Sequence, residues 1–473
     1  MIPLPTYHNK TVAILGLGKT GVAAAQALVA SGARVVLWDD NAANCAALPV
    51  GLGSSVVHYD DWDWAALDAL LLSPGIPLTH PKPHAVVGLA REHGVRITSD
   101  IELLCEAQPA AKTIAITGTN GKSTTTALIG HILQTAGRAV QVGGNIGTPA
   151  LAMEPLTGHP ERSEGSREVA EDSSPAAQND GVYVLELSSF QLDLLTQTRF
   201  NIAIWLNISP DHLDRHGDMD GYIAAKKQIF AQQTADDLAI VGVDDAYSEA
   251  VCRELIAGKS QRVVPVSLTQ QCAEGATVRA GILHVQGETL DLNAFDALRG
   301  AHNHQNAAAA YAVCAAVGLS HADIAHGMAS FGGLAHRMQK LGEKDGVSFV
   351  NDSKATNADA AAKSLSSFES IYWIAGGVPK AGGIDALGAY FPRIKKVYLI
   401  GEAQAAFAQT LDGHVKAQPC ESLAAATRAA YEDAKAQGGV VLLAPACASF
   451  DQFPNFEKRG DAFEAAVREI INI

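Results

Sequence analysis

Twice within its first 123 residues the chain runs a short apolar strand straight into a glycine-bearing loop and then a helix. Residues 11–15 lead into Gly16-Leu17-Gly18-Lys19-Thr20-Gly21 and an Ala-rich helix to about Ser31. Residues 113–117 lead into Gly118-Thr119-Asn120-Gly121-Lys122-Ser123 and a helix over 123–136. A second apolar strand, 34–38, ends in Asp39-Asp40 and completes a βαβ unit, which builds a doubly wound parallel sheet with helices on its faces. The run 69–72 reads as another strand, ending in the tight loop Ser73-Pro74-Gly75. Strand signals return at 182–187, 201–207 and 239–243, with helical character over 222–231. A last group, 347–351, 371–375, 396–401 and 440–444, alternates with helical segments and is closed by an amphipathic helix over 461–471. Between these, 155–181 is dominated by Ser, Glu, Pro, Gly and Asn, shows no period, and reads as a mobile surface insertion.

Charge and cysteine usage remove several classes of function. With 50 acidic against 35 basic residues and a formal charge of −15, the chain lacks the basic face of a general nucleic-acid binder. Cys45, Cys105, Cys252, Cys272, Cys314, Cys420 and Cys447 are scattered, odd in number and without a C-x-x-C pair. That argues against a disulfide framework or a structural zinc site and fits a reducing cytoplasm. Met1-Ile2-Pro3-Leu4-Pro5 opens no signal peptide. The longest apolar run, 307–319, is too short for a bilayer and is expected as a buried helix, so no membrane insertion is expected.

The second glycine loop carries the clearest chemistry. Glycines admit phosphate oxygens close to backbone N–H groups, and a helix N-terminus adds partial positive charge. Lys122 suits the β- and γ-phosphates of ATP, and the Ser123 hydroxyl suits Mg²⁺. The spacing is irregular, since residue 116 is Ile where the usual phosphate loop has its first glycine. Glu186 ends an apolar strand, where carboxylates commonly hold a nucleotide's metal, and Asp211-His212-Leu213-Asp214-Arg215-His216 crowds the same sheet edge. By themselves, His212 reads as a surface or hydrogen-bonded histidine and Lys226-Lys227 as a solvated helix face. Gly16-x-Gly18-x-x-Gly21 with Asp39 fits a dinucleotide fingerprint, which a UDP-sugar satisfies as well as NAD does. Near the C-terminus, polar loops follow three strands: Asn351-Asp352-Ser353-Lys354-Ala355-Thr356-Asn357, Gly376-Gly377-Val378-Pro379-Lys380, and 445–453. Such loops share one rim of a parallel sheet, and their lysines suit an anionic ligand.

These motifs together resemble the Mur ligase family, over nearly the whole length. Supporting stretches include Ser73-Pro74-Gly75-Ile76, Ser99-Asp100-Ile101-Glu102-Leu103, Gly144-Asn145-Ile146-Gly147, Glu186-Leu187-Ser188-Ser189-Phe190-Gln191-Leu192, Asn303 with Asn306, His336-Arg337 and Asn455-Phe456-Glu457-Lys458-Arg459-Gly460. The Gly-Thr-Asn-Gly-Lys-Ser loop marks the superfamily, whereas Asn-Asp-Ser-Lys-Ala-Thr-Asn and Cys-Ala-Ser-Phe-Asp-Gln-Phe are more specific to its D-glutamate-adding members.

The resemblance implies an α/β chain of three domains: a Rossmann-like UDP-sugar domain over 1–100, a central P-loop-type ATPase over 101–333, and a mobile Rossmann-like domain over 334–473 for the incoming amino acid. It implies a ligase that joins D-glutamate to UDP-N-acetylmuramoyl-L-alanine through an acyl phosphate, acting as a monomer. Gly118, Thr119, Asn120, Gly121, Lys122, Ser123, Thr124, Asn306, Arg337 and Asp352 would bind ATP. Ser123, Glu186, His212 and Lys226 would hold two Mg²⁺ ions. For Lys226 this reverses the solvated-face reading, because the family carries the matching lysine as an N-carbamate. A carbamate offers oxygen ligands where an ammonium cannot. Thr20, Asp39, Gly75 and Asn145 would face the UDP-sugar, and Thr356, Lys380, Ser449 and the Phe456 backbone the D-glutamate. Lys122, His212, Lys226 and Lys354 are the catalytic candidates, Lys354 beside the reacting phosphate. Asp40-Asn41 departs from a Thr-Arg-like pair found in some relatives, and the 155–181 insertion is longer than the pattern requires. Rival readings are another amino-acid-adding ligase of the superfamily, such as a folylpolyglutamate synthase, an NAD-dependent dehydrogenase, and a non-catalytic nucleotide-binding scaffold.

Overall fold

The computed structural model describes residues 1–156, 181–272, 274–380 and 382–472. Nearly all of the 155–181 stretch lies outside them. The chain divides into two compact units, Met1–Phe331 and Gly332–Ile473.

The first unit holds two sheets. The smaller consists of β1 (Thr11–Leu15), β2 (Arg34–Trp38), β3 (Ala69–Leu72) and β4 (Arg96–Thr98), in the order β2-β1-β3-β4 and parallel throughout. Its β1 alternates sides. Val12 and Ile14 pack with Ala24 and Leu28 of the helix Lys19–Ala30. Ala13 and Leu15 pack with Val86 and Val87 of the helix Ala85–Glu92. A strand covered on both faces reads as an unbroken apolar run, which is why β1 and β3 were visible in the sequence.

The larger sheet has nine strands: β5 (Lys112–Thr117), β6 (Val140–Gly144), β7 (Val182–Glu186), β8 (Ile202–Trp205), β9 (Leu238–Gly242), β10 (Arg262–Ser267), β11 (Ala276–Arg279), β12 (Ile282–Val285) and β13 (Glu288–Asp291). Their order is β13-β12-β11-β10-β9-β8-β5-β7-β6, parallel from β6 to β11. β12 and β13 add an antiparallel edge. The apolar stretch 307–319 falls mostly in the buried helix Ala301–Ala316. Among the described residues no helix is long and apolar enough to cross a membrane.

The second unit is a six-stranded sheet of β14 (Gln339–Lys344), β15 (Val347–Asn351), β16 (Ile371–Gly376), β17 (Ile394–Ile400), β18 (Ala417–Pro419) and β19 (Gly439–Leu443), ordered β14-β15-β19-β16-β17-β18. All pairs are parallel except the β14–β15 hairpin. The closing helix is Phe456–Ile471, beginning before the expected 461 because the Asn455 side chain caps it, accepting the Lys458 amide at 2.8 Å. Its polar first turn hides that start from apolar periodicity.

Candidate functional site

β5, β7 and β8 are neighbours, and their carboxyl ends carry most of the candidate residues of the first unit. The glycine loop follows β5, Glu186 ends β7, and Asn207 and the 211–216 stretch follow β8. From β5 the sheet grows toward β7 and β6 on one side and toward β8 on the other, so a crevice opens at this switch of direction.

Gly118 and Gly121 have φ of +154° and +85°, where L side chains are strained. A methyl group on Gly121 would stand 2.2 Å from Asn306 Oδ1, so the short loop is shaped by contact with Asn306. The helix Lys122–Thr135 starts directly at the loop. Lys122 Nζ folds back and donates to the carbonyls of Gly118 at 2.8 Å and Thr119 at 3.1 Å. Its charge is thereby held over the loop.

Lys226 lies on the helix Met219–Lys227 and is only 1% exposed. Its Nζ donates to Thr117 Oγ1 at 3.1 Å and to the Gly118 carbonyl at 3.0 Å, 4.9 Å from the centre of the Tyr222 ring. Burial, reinforced by the Lys122 charge, pushes its pKa well below the ordinary lysine value, against the opposing pull of Asp211 and Glu186. Lys226 is therefore buried and bonded to the loop, not the solvated side chain its sequence context suggests.

Glu186 is equally buried. Its Oε1 accepts from Asn145 Nδ2 at 2.8 Å, while Oε2 is buried with no protein partner. An orphaned carboxylate oxygen beside a phosphate loop fits a cation. Among the described residues no three His, Cys, Asp or Glu side chains converge into a ready metal cage. Mg²⁺ is held by one or two carboxylates with water and substrate phosphates, a set to which the Glu186 oxygen could contribute. His212 has left-handed backbone geometry (φ 51°), with its ring centroid 4.9 Å from that of Phe190 and Nε2 3.4 Å from Asp211 Oδ2.

The first glycine loop is equally constrained. A Cβ on Gly21 would stand 1.9 Å from the Gly16 carbonyl oxygen, and Ser73 Oγ donates to that same oxygen at 2.7 Å. Asp39 accepts from the Leu17 amide at 2.6 Å, the Asn41 amide at 2.8 Å and Asn44 Nδ2 at 3.0 Å. Its carboxylate therefore fastens the loop. The departing pair has local work: Asn41 caps the helix Ala42–Ala46, and Asp40 accepts from Trp38 Nε1 and pairs with His84 at 2.9 Å. Thr20, Asp39, Gly75 and Asn145 line one cleft of about 690 Å³ with Lys122, Asp211, His212 and Lys226.

In the second unit, β15, β19 and β16 are adjacent and parallel, so their three following loops share one rim. Lys354 Nζ sits 4.2 Å from the centre of the Phe456 ring, and the Phe456 carbonyl accepts from Ser353 Oγ at 2.8 Å. Asp352 is buried and accepts from the Met338 amide at 3.3 Å and from Ser364 Oγ; burial raises its pKa. Ser449 is buried, Thr356 and Arg337 are half-buried, and Lys380 is exposed.

Several supporting residues had no assigned role in the sequence. Arg459 is fully buried and donates to Ser353 Oγ at 3.0 Å, the Ser353 carbonyl at 2.9 Å and the Cys447 carbonyl at 3.1 Å, tying two rim loops together. Arg215 donates to the Ile76 carbonyl at 2.7 Å and lies over Phe190, joining the 211–216 stretch to the loop after β3. His216 bonds Ser189 Oγ at 2.9 Å, and burial with the Arg215 charge lowers its pKa to about 4. Asn207 holds the phosphate loop. Its one signal was a lone asparagine closing an apolar strand.

Comparison with known proteins agrees with this layout. Family models match residues 10–99 (Mur ligase MurD-like, N-terminal domain), 116–314 (Mur ligase middle domain) and 336–447 (Mur ligase, glutamate ligase domain). The UDP-N-acetylmuramoylalanine–D-glutamate ligase of Caulobacter sp. (strain K31) is 50% identical over 480 residues, covering 99% of this chain and 98% of that one. The enzyme of the same name from Brucella abortus (strain 2308) is 49% identical over 481 residues, covering 99% and 97%. Among solved structures, the UDP-N-acetylmuramate-alanine ligase MurC of Thermotoga maritima matches with a TM-score of 0.58 at 17% identity, covering 98% of this chain and all (100%) of that one. MurF of Acinetobacter baumannii matches with a TM-score of 0.55 at 19% identity, covering 78% and 79%. At these identities the structural likenesses speak for the fold alone.

Proposed function

This chain belongs to the Mur ligase family, and from that premise we infer that it is the ATP-dependent ligase joining D-glutamate to UDP-N-acetylmuramoyl-L-alanine in peptidoglycan precursor synthesis. The observation that carries the reading is the single cleft in which a diphosphate-type glycine loop, held by Asp39, faces Lys122 and Lys226. The dinucleotide fingerprint is thereby read as a UDP-sugar site, and the dehydrogenase alternative is set aside.

In the reaction, the alanyl carboxylate attacks the γ-phosphorus of ATP and ADP leaves. The amine of D-glutamate then attacks the acyl phosphate carbonyl, phosphate leaves and an amide remains. Gly118 to Thr124, with Asn306, Arg337 and Asp352, are assigned to ATP. Lys122 neutralises charge spreading over the transferring phosphoryl group, and Lys354 is assigned the same role. Thr20, Asp39, Gly75 and Asn145 are assigned to the UDP-sugar, Asp39 acting by holding the loop. Thr356, Lys380, Ser449 and the Phe456 backbone are assigned to D-glutamate. Ser123, Glu186, His212 and carbamylated Lys226 would hold Mg²⁺, which supplies positive charge to the phosphates. Burial, which lowers the pKa of Lys226, supports the carbamate, because it is the unprotonated amine that adds CO₂, releasing one proton. Two ions, a monomeric state, a cytoplasmic location and domain limits near 100 and 333 complete the proposal.

The test supplies ATP, Mg²⁺ and UDP-N-acetylmuramoyl-L-alanine and measures phosphate release with D-glutamate, L-glutamate, L-lysine or D-alanine. Release is expected with D-glutamate alone. Equal release with L-lysine would overturn the amino-acid assignment, and release independent of the UDP-sugar would overturn the ligase.

A further inference from the structure

Asn207, which follows β8, grips the 118–123 loop with both its backbone and its side chain. The Asn207 carbonyl accepts the Thr119 amide at 3.0 Å. Its side-chain Oδ1 accepts the Asn120 amide at 2.9 Å, and its Nδ2 donates to the Asn120 carbonyl at 3.2 Å. Asn120 is thus gripped at both its N–H and its C=O. The same Nδ2 donates to Gln305 Oε1 at 3.3 Å, and Gln305 Nε2 continues to Asp244 Oδ2 at 3.0 Å. Asp244 in turn accepts from the Leu268 amide at 3.0 Å and from Ser267 Oγ at 2.6 Å. Gln305 is buried and precedes Asn306 on the helix Ala301–Ala316. Asn306 packs against the loop from its other side, where Gly121 has no room for a methyl group.

We propose that Asn207 is a positioning residue for ATP: its amide sets the phosphate loop and, through Gln305, locks that loop to the helix carrying Asn306. The triphosphate-binding and Asn306-bearing segments then behave as one preformed body, and the ordering cost of assembling them is met on folding, not on binding. The Thr119 and Asn120 amides are committed to Asn207, so these two residues shape the loop through Asn207. This inference rests on the ATP-binding reading above.

The test measures KM for ATP, KM for the UDP-sugar and kcat in the full chain for Asn207→Ala, Asn207→Asp, Gln305→Met and the Asn207→Ala/Gln305→Met double variant. Three side-chain hydrogen bonds are at stake, so Asn207→Ala is expected to raise KM for ATP about 10- to 100-fold, and Gln305→Met about 3- to 10-fold. KM for the UDP-sugar should stay within about 2-fold in both, and the double variant should be no worse than Asn207→Ala alone, as expected for one coupled unit. Asn207→Asp keeps the acceptor for the Asn120 amide but turns a carboxylate oxygen on the Asn120 carbonyl and adds negative charge behind the loop, so it should raise KM for ATP at least as much as Asn207→Ala. If Asn207→Ala loses its cooperative melt, Gln305→Met decides. An unchanged KM for ATP in Gln305→Met, a parallel rise in both KM values, or additive losses in the double variant would overturn the proposal. Wild-type protein lacking ATP-dependent phosphate release would instead remove the ATP reading itself, and the proposal with it.

Discussion

The loop at 16–21 and the loop at 118–123 both leave a buried parallel strand, both use glycine at positive φ, and both open a helix, yet they are fastened by opposite chemistry. Asp39 gathers the Leu17 and Asn41 amides around a carboxylate. The second loop is gripped by the neutral Asn207 amide and overlaid by Lys122, with Lys226 buried beneath it. A neutral clip with a lysine overhead suits a triphosphate carrying more charge. The strand–loop–helix frame is common to both, and the residue that braces it differs.

The largest break should come from the lysine. Lys122→Ala is expected to lower turnover on the order of 10³-fold in the phosphate-release assay, with KM for the UDP-sugar nearly unchanged. Near-normal turnover would mean that the second loop is no phosphate cradle. Lys226→Ala should cost on the order of 10²-fold, with partial recovery on adding short carboxylates. A variant with wild-type activity and no response to them would remove the carbamate. Asp39→Asn leaves the second loop intact and should raise KM for the UDP-sugar about 10-fold while leaving KM for ATP alone, since it weakens charge-assisted bonds only in the first loop. A matching change in KM for ATP would show that the two loops cannot be separated. The smallest effect concerns the segment next to both. His216 has a folded pKa of about 4 against 6.5 ordinarily, so the unfolded chain binds more protons between those values. Its contribution to stability is present above pH 6.5 and is lost as pH falls toward about 4. Urea midpoints should fall between about pH 7 and about pH 5, and His216→Gln should flatten that slope. An unchanged slope would place the acid sensitivity elsewhere.

Much of the frame was legible because β1, β3, β5, β7, β8, β9 and β16 are buried on both faces and read as unbroken apolar runs. Apart from β2, read at 34–38, the edge strands were not: β13 is mostly exposed and polar, and β4 and β18 are three residues long. At the site, glycine spacing marked both loops, since only glycine tolerates φ of +94° at Gly16 or +85° at Gly121. Arg459 stood within a quoted motif without a role, because an arginine in a polar helical turn looks solvated until its guanidinium is seen donating to Ser353 and Cys447.

By itself the sequence determined the α/β class, the strand–loop–helix units and the residue types that phosphate chemistry requires, all of which are local or periodic properties of the chain. Only the tertiary structure decided that Lys226 is buried and bonded to the Gly118 carbonyl with its pKa lowered, that Glu186 keeps one unpartnered oxygen, and that Asp39 and Asn207 brace their loops. Those properties depend on contacts between residues far apart in the chain, such as the 108 positions separating Lys226 from Gly118. Burial and the charges brought near by folding set the protonation state of a lysine, and neither can be read from its neighbours in sequence.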